Sequence, residues 1–148
     1  MKKKKGQIRA VIDTNLFISG FFAEQGRSYQ IQELWIAGAF QLVVSEKILE
    51  EIKSTLGKPS IQKKLLGSDT EPDELIELIR EKASLVTGDL YETDKIKKDY
   101  TDNKFLACAL EAKADYIVSG DRHLLELKHF HGTQIIDART FVKKVTDK

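Results

Sequence analysis

Cysteine, proline and long apolar runs are scarce in this sequence, and each scarcity excludes a class of protein. Cys108 is the only cysteine among 148 residues, which excludes an intrachain disulfide and a zinc site built from several cysteines. No apolar run approaches the roughly 18 residues of a membrane-spanning helix, so we expect no membrane association. The lysines at 2–5 precede no apolar segment of a secretory signal, and we therefore expect a cytoplasmic protein.

The charges are numerous but nearly balanced. Lysine and arginine number 24 against 23 aspartates and glutamates, so the formal net charge of +1 does not by itself favour a polyanionic partner. A hydrophobic share of 41% with only two prolines and nine glycines is typical of a folded globular chain. The length fits one domain, and we predict a basic tail over residues 1–7 followed by a single domain over residues 8–148.

Apolar strands alternate with amphipathic helices along the chain. The predicted strands cover residues 8–12, 40–44, 83–88, 115–121 and 134–137. A helix should follow the first strand, and further helices are predicted over residues 28–38, 46–56, 103–114, 122–128 and 138–145, with one beginning near Pro72. Residues 60–70 suggest a short helix or loop, and residues 89–102 an exposed loop. This alternation predicts a three-layer α/β/α domain with a mostly parallel central sheet.

Acidic residues fall where the predicted strands end. Asp13 directly follows the first strand, and Asp121 follows the strand that ends in "YIVS". In open parallel sheets, sites form at this carboxyl edge, because the loops converge there. Asp102 stands at the start of the helix that leads to the same strand. At about 100° per residue, Glu51 lies closer than its neighbour Glu50 to the apolar stripe of its helix.

Each acid also has a purely structural interpretation. Three of them could cap the helices that they precede, namely Asp13, Asp102 and Asp121. Glu51 could be an ordinary exposed helix residue, with Glu50 as an alternative to it at the site. Asp99, one turn before Asp102, is an alternative to that residue if its helix starts earlier.

Acids that converge would repel one another unless a cation neutralised them. Oxygen ligands without cysteine or a well-placed histidine favour Mg²⁺ or Mn²⁺ over zinc. Such a cation suits phosphoryl chemistry, because it can bind a phosphate oxygen, lower the pKa of an attacking water and stabilise the leaving oxygen. The short polar neighbours suited to orienting the acids are Thr14, Asn15, Ser45 and Ser119.

Three segments of the chain resemble the PIN domain family of metal-dependent nucleases. They read VIDTNLFISG, LVVSEKILEEIKSTL and DNKFLACALEAKADYIVSGDRHLLEL, and the resemblance extends over residues 8–137. Either "DTN" or "VSGD" alone is a weaker signal than both in this order with "DNKFLACAL" between them. The sequence is most similar to the toxin components of prokaryotic toxin–antitoxin systems, which are VapC-like.

The resemblance implies a Mg²⁺- or Mn²⁺-dependent endoribonuclease that acts as such a toxin. It implies metal-binding and catalytic roles for Asp13, Glu51, Asp102 and Asp121, supported by Thr14, Asn15 and Ser119. It also implies an RNA substrate, a cognate antitoxin and a homodimer. The residues that could hold RNA phosphates are Arg27, Lys104 and Arg122, for which ordinary surface solvation is the competing interpretation. An RNA-processing nuclease without an antitoxin, or a catalytically inactive adaptor that binds RNA or protein, stays open.

Overall fold

The first strand of the chain lies in the middle of the sheet and is buried along its whole length. The computed structural model describes residues 6–23, 25–67, 71–87 and 100–147, with the backbone alone for residues 100–102. Within these residues the elements follow in the order β1 (Arg9–Ile12), α1 (Thr14–Phe22), α2 (Arg27–Ile36), β2 (Gln41–Ser45), α3 (Glu46–Leu56), α4 (Pro59–Leu66), α5 (Pro72–Lys82), β3 (Ser84–Val86), α6 (Tyr100–Ala112), β4 (Tyr116–Val118), α7 (Arg122–Leu127), β5 (His129–Phe130), β6 (Thr133–Ile136) and α8 (Ala138–Thr146).

The described strands form one sheet in the order β3-β2-β1-β4-β6-β5. Neighbouring strands are parallel except for β5, which runs antiparallel to β6. Helix α6 packs against β1, β2 and β3, whereas α8 packs against β4 and α2. The prediction of a three-layer α/β/α domain with a mostly parallel sheet is confirmed.

The strand order creates a switch point between β1 and β4. From β1 the chain moves to β2 and β3 on one side, and it then crosses to β4 and β6 on the other. The register pairs Ile12 with Val118, so the two strands end side by side. Loops leave such a pair in opposite directions, and a crevice opens between them at the carboxyl edge.

Close packing of α1 and α2 holds the helix that starts at this crevice. The rings of Phe17 and Trp35 meet edge to face with their centroids 5.4 Å apart. Gln32 Nε2 donates a 2.7 Å hydrogen bond to the carbonyl oxygen of Phe17. At Gly20 a Cβ atom would stand only 2.5 Å from the carbonyl oxygen of Ser28, so a side chain there would push the helices apart.

Most predicted elements match the structure closely. Helix α3 covers the predicted residues, and the hydroxyl of Ser45 caps it by accepting a 3.2 Å hydrogen bond from the N–H of Ile48. Helix α5 begins at Pro72 as predicted, and the undecided segment over residues 60–70 contains all of α4 except its first residue, Pro59. None of the helices in the described ranges is both long and apolar enough to span a bilayer.

One prediction at the end of an element was wrong, and one strand was missed. The loop predicted over residues 89–102 is helical from Tyr100 onward, while the part up to residue 99 lies outside the described residues. The apolar stripe of α6 does not mark this first turn, because the ends of helices are commonly polar. Strand β5 was not predicted at all. It is joined to β6 by His131 and Gly132, both at positive φ (48° and 87°), as in a type I′ hairpin turn.

Candidate active site

Asp13 lies at the carboxyl end of β1, where its backbone continues the sheet. Its N–H donates a 2.9 Å hydrogen bond to the carbonyl oxygen of Val118, the last residue of β4. Its side chain caps α1, because Oδ1 accepts a 3.1 Å hydrogen bond from the N–H of Asn15. The cap interpretation of Asp13 is therefore correct, and the cap uses only one of the two carboxylate oxygens.

Ser119 joins the ends of β1 and β4 across the switch point. Its hydroxyl is fully buried and donates a 2.7 Å hydrogen bond to Oδ2 of Asp13. The hydroxyl oxygen of Ser119 also accepts a 2.9 Å hydrogen bond from the N–H of Asp121. Ser119 therefore holds the carboxylate of Asp13 and the backbone of Asp121 in a fixed relation to each other.

Asp121 is the second acid at this edge. It caps α7, where its Oδ1 accepts a 2.8 Å hydrogen bond from the N–H of His123. With Asp13 it lines an open cleft of about 430 Å³, together with Asn15, Leu16 and Gly120. Leu16 and Gly120 were not predicted for the site. Their positions next to Asn15 and Asp121 in the sequence were the only available signal.

Glu51 reaches the same region from α3. It is half-buried, whereas Glu50 is exposed, so these neighbours differ in the way that the apolar stripe predicts. Glu51 Oε2 forms an ion pair with Lys104 Nζ at a distance of 3.0 Å. Its Oε1 is shielded from solvent and has no hydrogen-bond partner in the described part of the chain.

The electrostatic environment of Asp13 links the three acids. Burial is the main cause that raises the pKa of Asp13 above its ordinary value. The hydrogen bonds from Ser119 and from the N–H of Asn15 oppose this rise, while the negative charges of Glu51 and Asp121 add to it. The ionised form of Asp13 is therefore less favourable than that of an ordinary aspartate, and a bound cation would stabilise it.

The third predicted aspartate is placed only by its backbone. Asp102 belongs to the first turn of α6, two residues after Tyr100, and its side chain lies outside the described part of the structure. The interpretation of Asp102 as the cap of this helix is wrong, because the helix already includes it. Asp99, the alternative ligand, lies outside the described residues.

Three polar neighbours of the acids have separate environments. Thr14 is buried, and its Oγ1 has no hydrogen-bond partner among the described residues. The same holds for Oδ1 of Asn103 in α6. The side chain of Asn15 is exposed at the cleft, while its backbone N–H donates a hydrogen bond to Asp13 Oδ1. The hydroxyl of Ser45 binds the backbone of α3 and the thiol of Cys108, so it supports Glu51 through the helix.

The predicted phosphate contacts also differ from one another. Arg122 is exposed at the start of α7, directly after Asp121. Arg27 is exposed and donates a 2.8 Å hydrogen bond to Gln30 Oε1 within α2. Lys104 lies within the site instead, because its ammonium group is paired with Glu51 and its side chain is only 13% exposed.

The donor chemistry of these residues fits a hard divalent cation. The negative charges of Glu51 and Asp121 both raise the pKa of Asp13, and Glu51 Oε1 is an acceptor without a donor among the described residues. Within the described ranges, however, no three histidine, cysteine, aspartate or glutamate side chains lie close enough together to share one metal ion. The chemical types of these ligands therefore suit a metal ion, but one of them, Glu51, is paired with Lys104 instead.

Three comparisons with known proteins found similar sequences and a similar structure. A family model described as PIN domain matches residues 9–123. The uncharacterized protein MJ1680 of Methanocaldococcus jannaschii is 29% identical over 127 residues, which is 86% of this chain and 79% of that protein. A chain in the crystal structure of VapBC2 from Rickettsia felis, bound to a DNA fragment from their promoter, superimposes with a TM-score of 0.58 at 10% identity. That match covers 88% of this chain and 98% of the other, and at this identity it concerns the fold alone.

Proposed function

We propose that this chain, which belongs to the PIN domain family, cleaves RNA phosphodiester bonds with the help of a divalent cation. One observation carries the proposal: the half-buried carboxylate of Asp13 lines an open cleft together with Asp121, and Glu51 lies near enough to raise the pKa of Asp13 further. Members of this family are generally nucleases. A site that concentrates negative charge beside an open cleft is suited to a cation and a phosphate, because the cation offsets the charge of both.

The residues that would hold Mg²⁺ or Mn²⁺ are the acids at the carboxyl edge, namely Asp13, Glu51, Asp102 and Asp121. When bound, the ion would polarise a phosphate oxygen and lower the pKa of the attacking water. The carboxylate of Asp13 is already oriented by Ser119 and that of Asp121 by the N–H of His123, so both need little rearrangement to bind a cation. Glu51 contributes the shielded oxygen that lacks a partner among the described residues.

RNA is the substrate class that we propose for the cleft beside Asp13. The cleft is open to solvent and holds about 430 Å³, which leaves room for a strand to pass. Arg122 is exposed directly after Asp121, where a guanidinium group can hold a phosphate next to the one being cleaved. Arg27, exposed at the start of α2, is a second candidate contact farther along the strand.

We further propose that the chain is the toxin of a toxin–antitoxin pair in the cytoplasm and forms a homodimer. The fold likeness to a VapBC2 chain supports this role, since that complex is a pair bound to DNA of its own promoter. The competing proposal is an RNA-processing nuclease without an antitoxin. A short protein that co-purifies with this chain, and growth arrest when the chain is produced alone, would favour the toxin.

The activity can be tested with the purified full chain and a labelled single-stranded RNA. We expect cleavage in Mg²⁺ or Mn²⁺, none in excess chelator, and none by Asp13→Asn in either metal. Asp73→Asn is the matched control, because Asp73 is exposed in the first turn of α5 and should not affect cleavage. Cleavage by folded Asp13→Asn would refute the proposed site. If calorimetry shows no Mn²⁺ binding by the wild type, a catalytically inactive adaptor that binds RNA or protein becomes the better explanation.

A further inference from the structure

The ion pair between Lys104 and Glu51 crosses from one helix to another inside the candidate active site. Lys104 Nζ lies 3.0 Å from Glu51 Oε2, and the side chains are 13% and 33% exposed. Helices α3 and α6 pack against each other, which brings these residues together. The pair is therefore shielded to a degree unusual for lysine, whose ammonium group normally stays in water.

The position of Lys104 is fixed by more than its charge. Its ammonium group lies 4.8 Å from the centroid of the Phe105 ring, a distance that permits a cation–π interaction. Glu51 in turn offers one oxygen to Lys104, while its other oxygen is shielded without a hydrogen-bond partner among the described residues. Such a carboxylate is only half satisfied by the lysine, and it could accept a second cation or exchange one cation for another.

Glu51 lies near Asp13 but does not share a metal-binding cluster with it among the described residues. In the residues described, no three potential ligand side chains lie close enough together to share an ion, although Glu51 is near enough to raise the pKa of Asp13. A lysine that holds Glu51 Oε2 withholds that oxygen from the edge where Asp13 and Asp121 lie. The positive charge of Lys104 also opposes the approach of a further cation.

We propose that Lys104 is a positioning residue that competes with the divalent cation for Glu51. It neutralises part of the negative charge of the acidic site while no cation is bound, and it must release Glu51 Oε2 before that oxygen can bind the metal. Lys104 thereby lowers the affinity of the site for the cation and stabilises the metal-free protein. This inference rests on the proposed function, because it assumes that the acids bind Mg²⁺ or Mn²⁺.

The experiment measures Mn²⁺ binding by calorimetry to the full-length wild type and to Lys104→Met, Lys104→Arg and Lys143→Met. Methionine keeps an unbranched apolar stem without the charge, arginine keeps the charge, and Lys143 is an exposed control in the last turn of α8. We expect Lys104→Met to bind Mn²⁺ about three- to tenfold more tightly, the scale of a partly shielded ion pair. Lys104→Arg and Lys143→Met should bind Mn²⁺ like the wild type.

A double-mutant cycle separates competition from simple repulsion. In a Glu51→Gln background the carboxylate of Glu51 is gone, so competition for it is removed and Lys104→Met should improve Mn²⁺ affinity much less than in the wild type. Thermal unfolding gives a second measurement: in chelator Lys104→Met should melt below the wild type, and saturating Mn²⁺ should narrow the difference. It also shows whether each variant is folded, and Lys104→Gln replaces Lys104→Met if that variant is not.

The outcomes distinguish this inference from the function on which it rests. If the wild type binds no Mn²⁺, the proposed function fails and the inference fails with it. If the wild type binds Mn²⁺ but folded Lys104→Met binds equally or more weakly, only the role of Lys104 is overturned. An equal gain with and without Glu51 would also overturn it, because the effect of Lys104 would then be repulsion rather than competition for that carboxylate.

Discussion

The hydroxyl group of Ser119 donates a 2.7 Å hydrogen bond to Oδ2 of Asp13. Because the hydroxyl has a single proton, its orientation is committed to this carboxylate, and its lone pair is free to accept the N–H of Asp121 at 2.9 Å. Oδ1 of Asp13 is held at the same time by the N–H of Asn15. The two aspartates at the switch point are therefore oriented by one buried side chain rather than by each other.

Replacing Ser119 with alanine should disturb both aspartates at once. Asp13 loses a donor and the N–H of Asp121 loses its acceptor, so we expect the affinity for Mn²⁺ to fall by about 10- to 100-fold. The free energy of unfolding should fall by about 1 to 3 kcal/mol, because a buried N–H is left unpaired. Calorimetry and urea unfolding measure the two effects.

The matched control for Ser119→Ala is Ser19→Ala. The Ser19 hydroxyl donates to the carbonyl oxygen of Leu16 on the exposed side of α1, so its loss should change neither quantity appreciably. Unchanged Mn²⁺ affinity in Ser119→Ala would show that Asp13 does not need this hydrogen bond.

The adjacent glutamates of α3 allow a comparison within one turn of helix. Glu51 is half-buried and contributes to the raised pKa of Asp13, whereas Glu50 is exposed. We expect Glu51→Gln to lower kcat/KM for RNA cleavage by about 100-fold, the usual size of losing one electrostatic group in an active site. Glu50→Gln should cleave RNA at the wild-type rate. Equal losses in the two variants would contradict the assignment of Glu51.

The raised pKa of Asp13 predicts how stability depends on pH. The folded protein binds this proton more tightly than the unfolded chain, so the associated stability is fully present below the ordinary pKa of 3.8 and is lost as the pH rises through the raised value. Asp13→Asn cannot ionise, and in chelator at neutral pH it should be more stable than the wild type by about 1 kcal/mol.

Urea unfolding of both proteins across this pH range checks the prediction, because groups other than Asp13 contribute to both curves and largely cancel in the difference. The advantage of Asp13→Asn should shrink toward acidic pH. A variant less stable than the wild type throughout would show that the carboxylate stabilises the metal-free fold.

Cys108 should be chemically silent in the folded protein. It is fully buried, and burial raises the pKa of its thiol to about 12, so almost none is the reactive thiolate near neutral pH. We expect an alkylating reagent to label Cys108 only at the rate of unfolding, which mass spectrometry can follow at increasing urea. Rapid labelling without urea would show an opening of the core beside Ser45.

Local signals in the sequence were sufficient to predict an element where the residues that begin and end it lie next to it in the chain. The cap at Ser45, the apolar stripe and Gly57 predict α3 to the residue, because capping and helical periodicity act within a few positions. The first turn of α6 and strand β5 were missed for the opposite reason. The two residues of β5 are a strand only because the turn at His131 and Gly132 folds them onto β6.

The acids at the strand ends follow from short-range chemistry, since Asp13 and Asp121 each interrupt a run of apolar residues at the point where a buried strand stops. Their connection through Ser119 depends on the parallel register that places Ile12 beside Val118. The pairing of Lys104 with Glu51 depends on the packing of α6 against α3. Spacing along the chain therefore predicted acids that the fold places at one cleft, namely Asp13 and Asp121. Which residues contact one another depends on the packing of elements that are far apart in the chain. Such packing produces no periodic pattern in the sequence, so only the tertiary structure determines it.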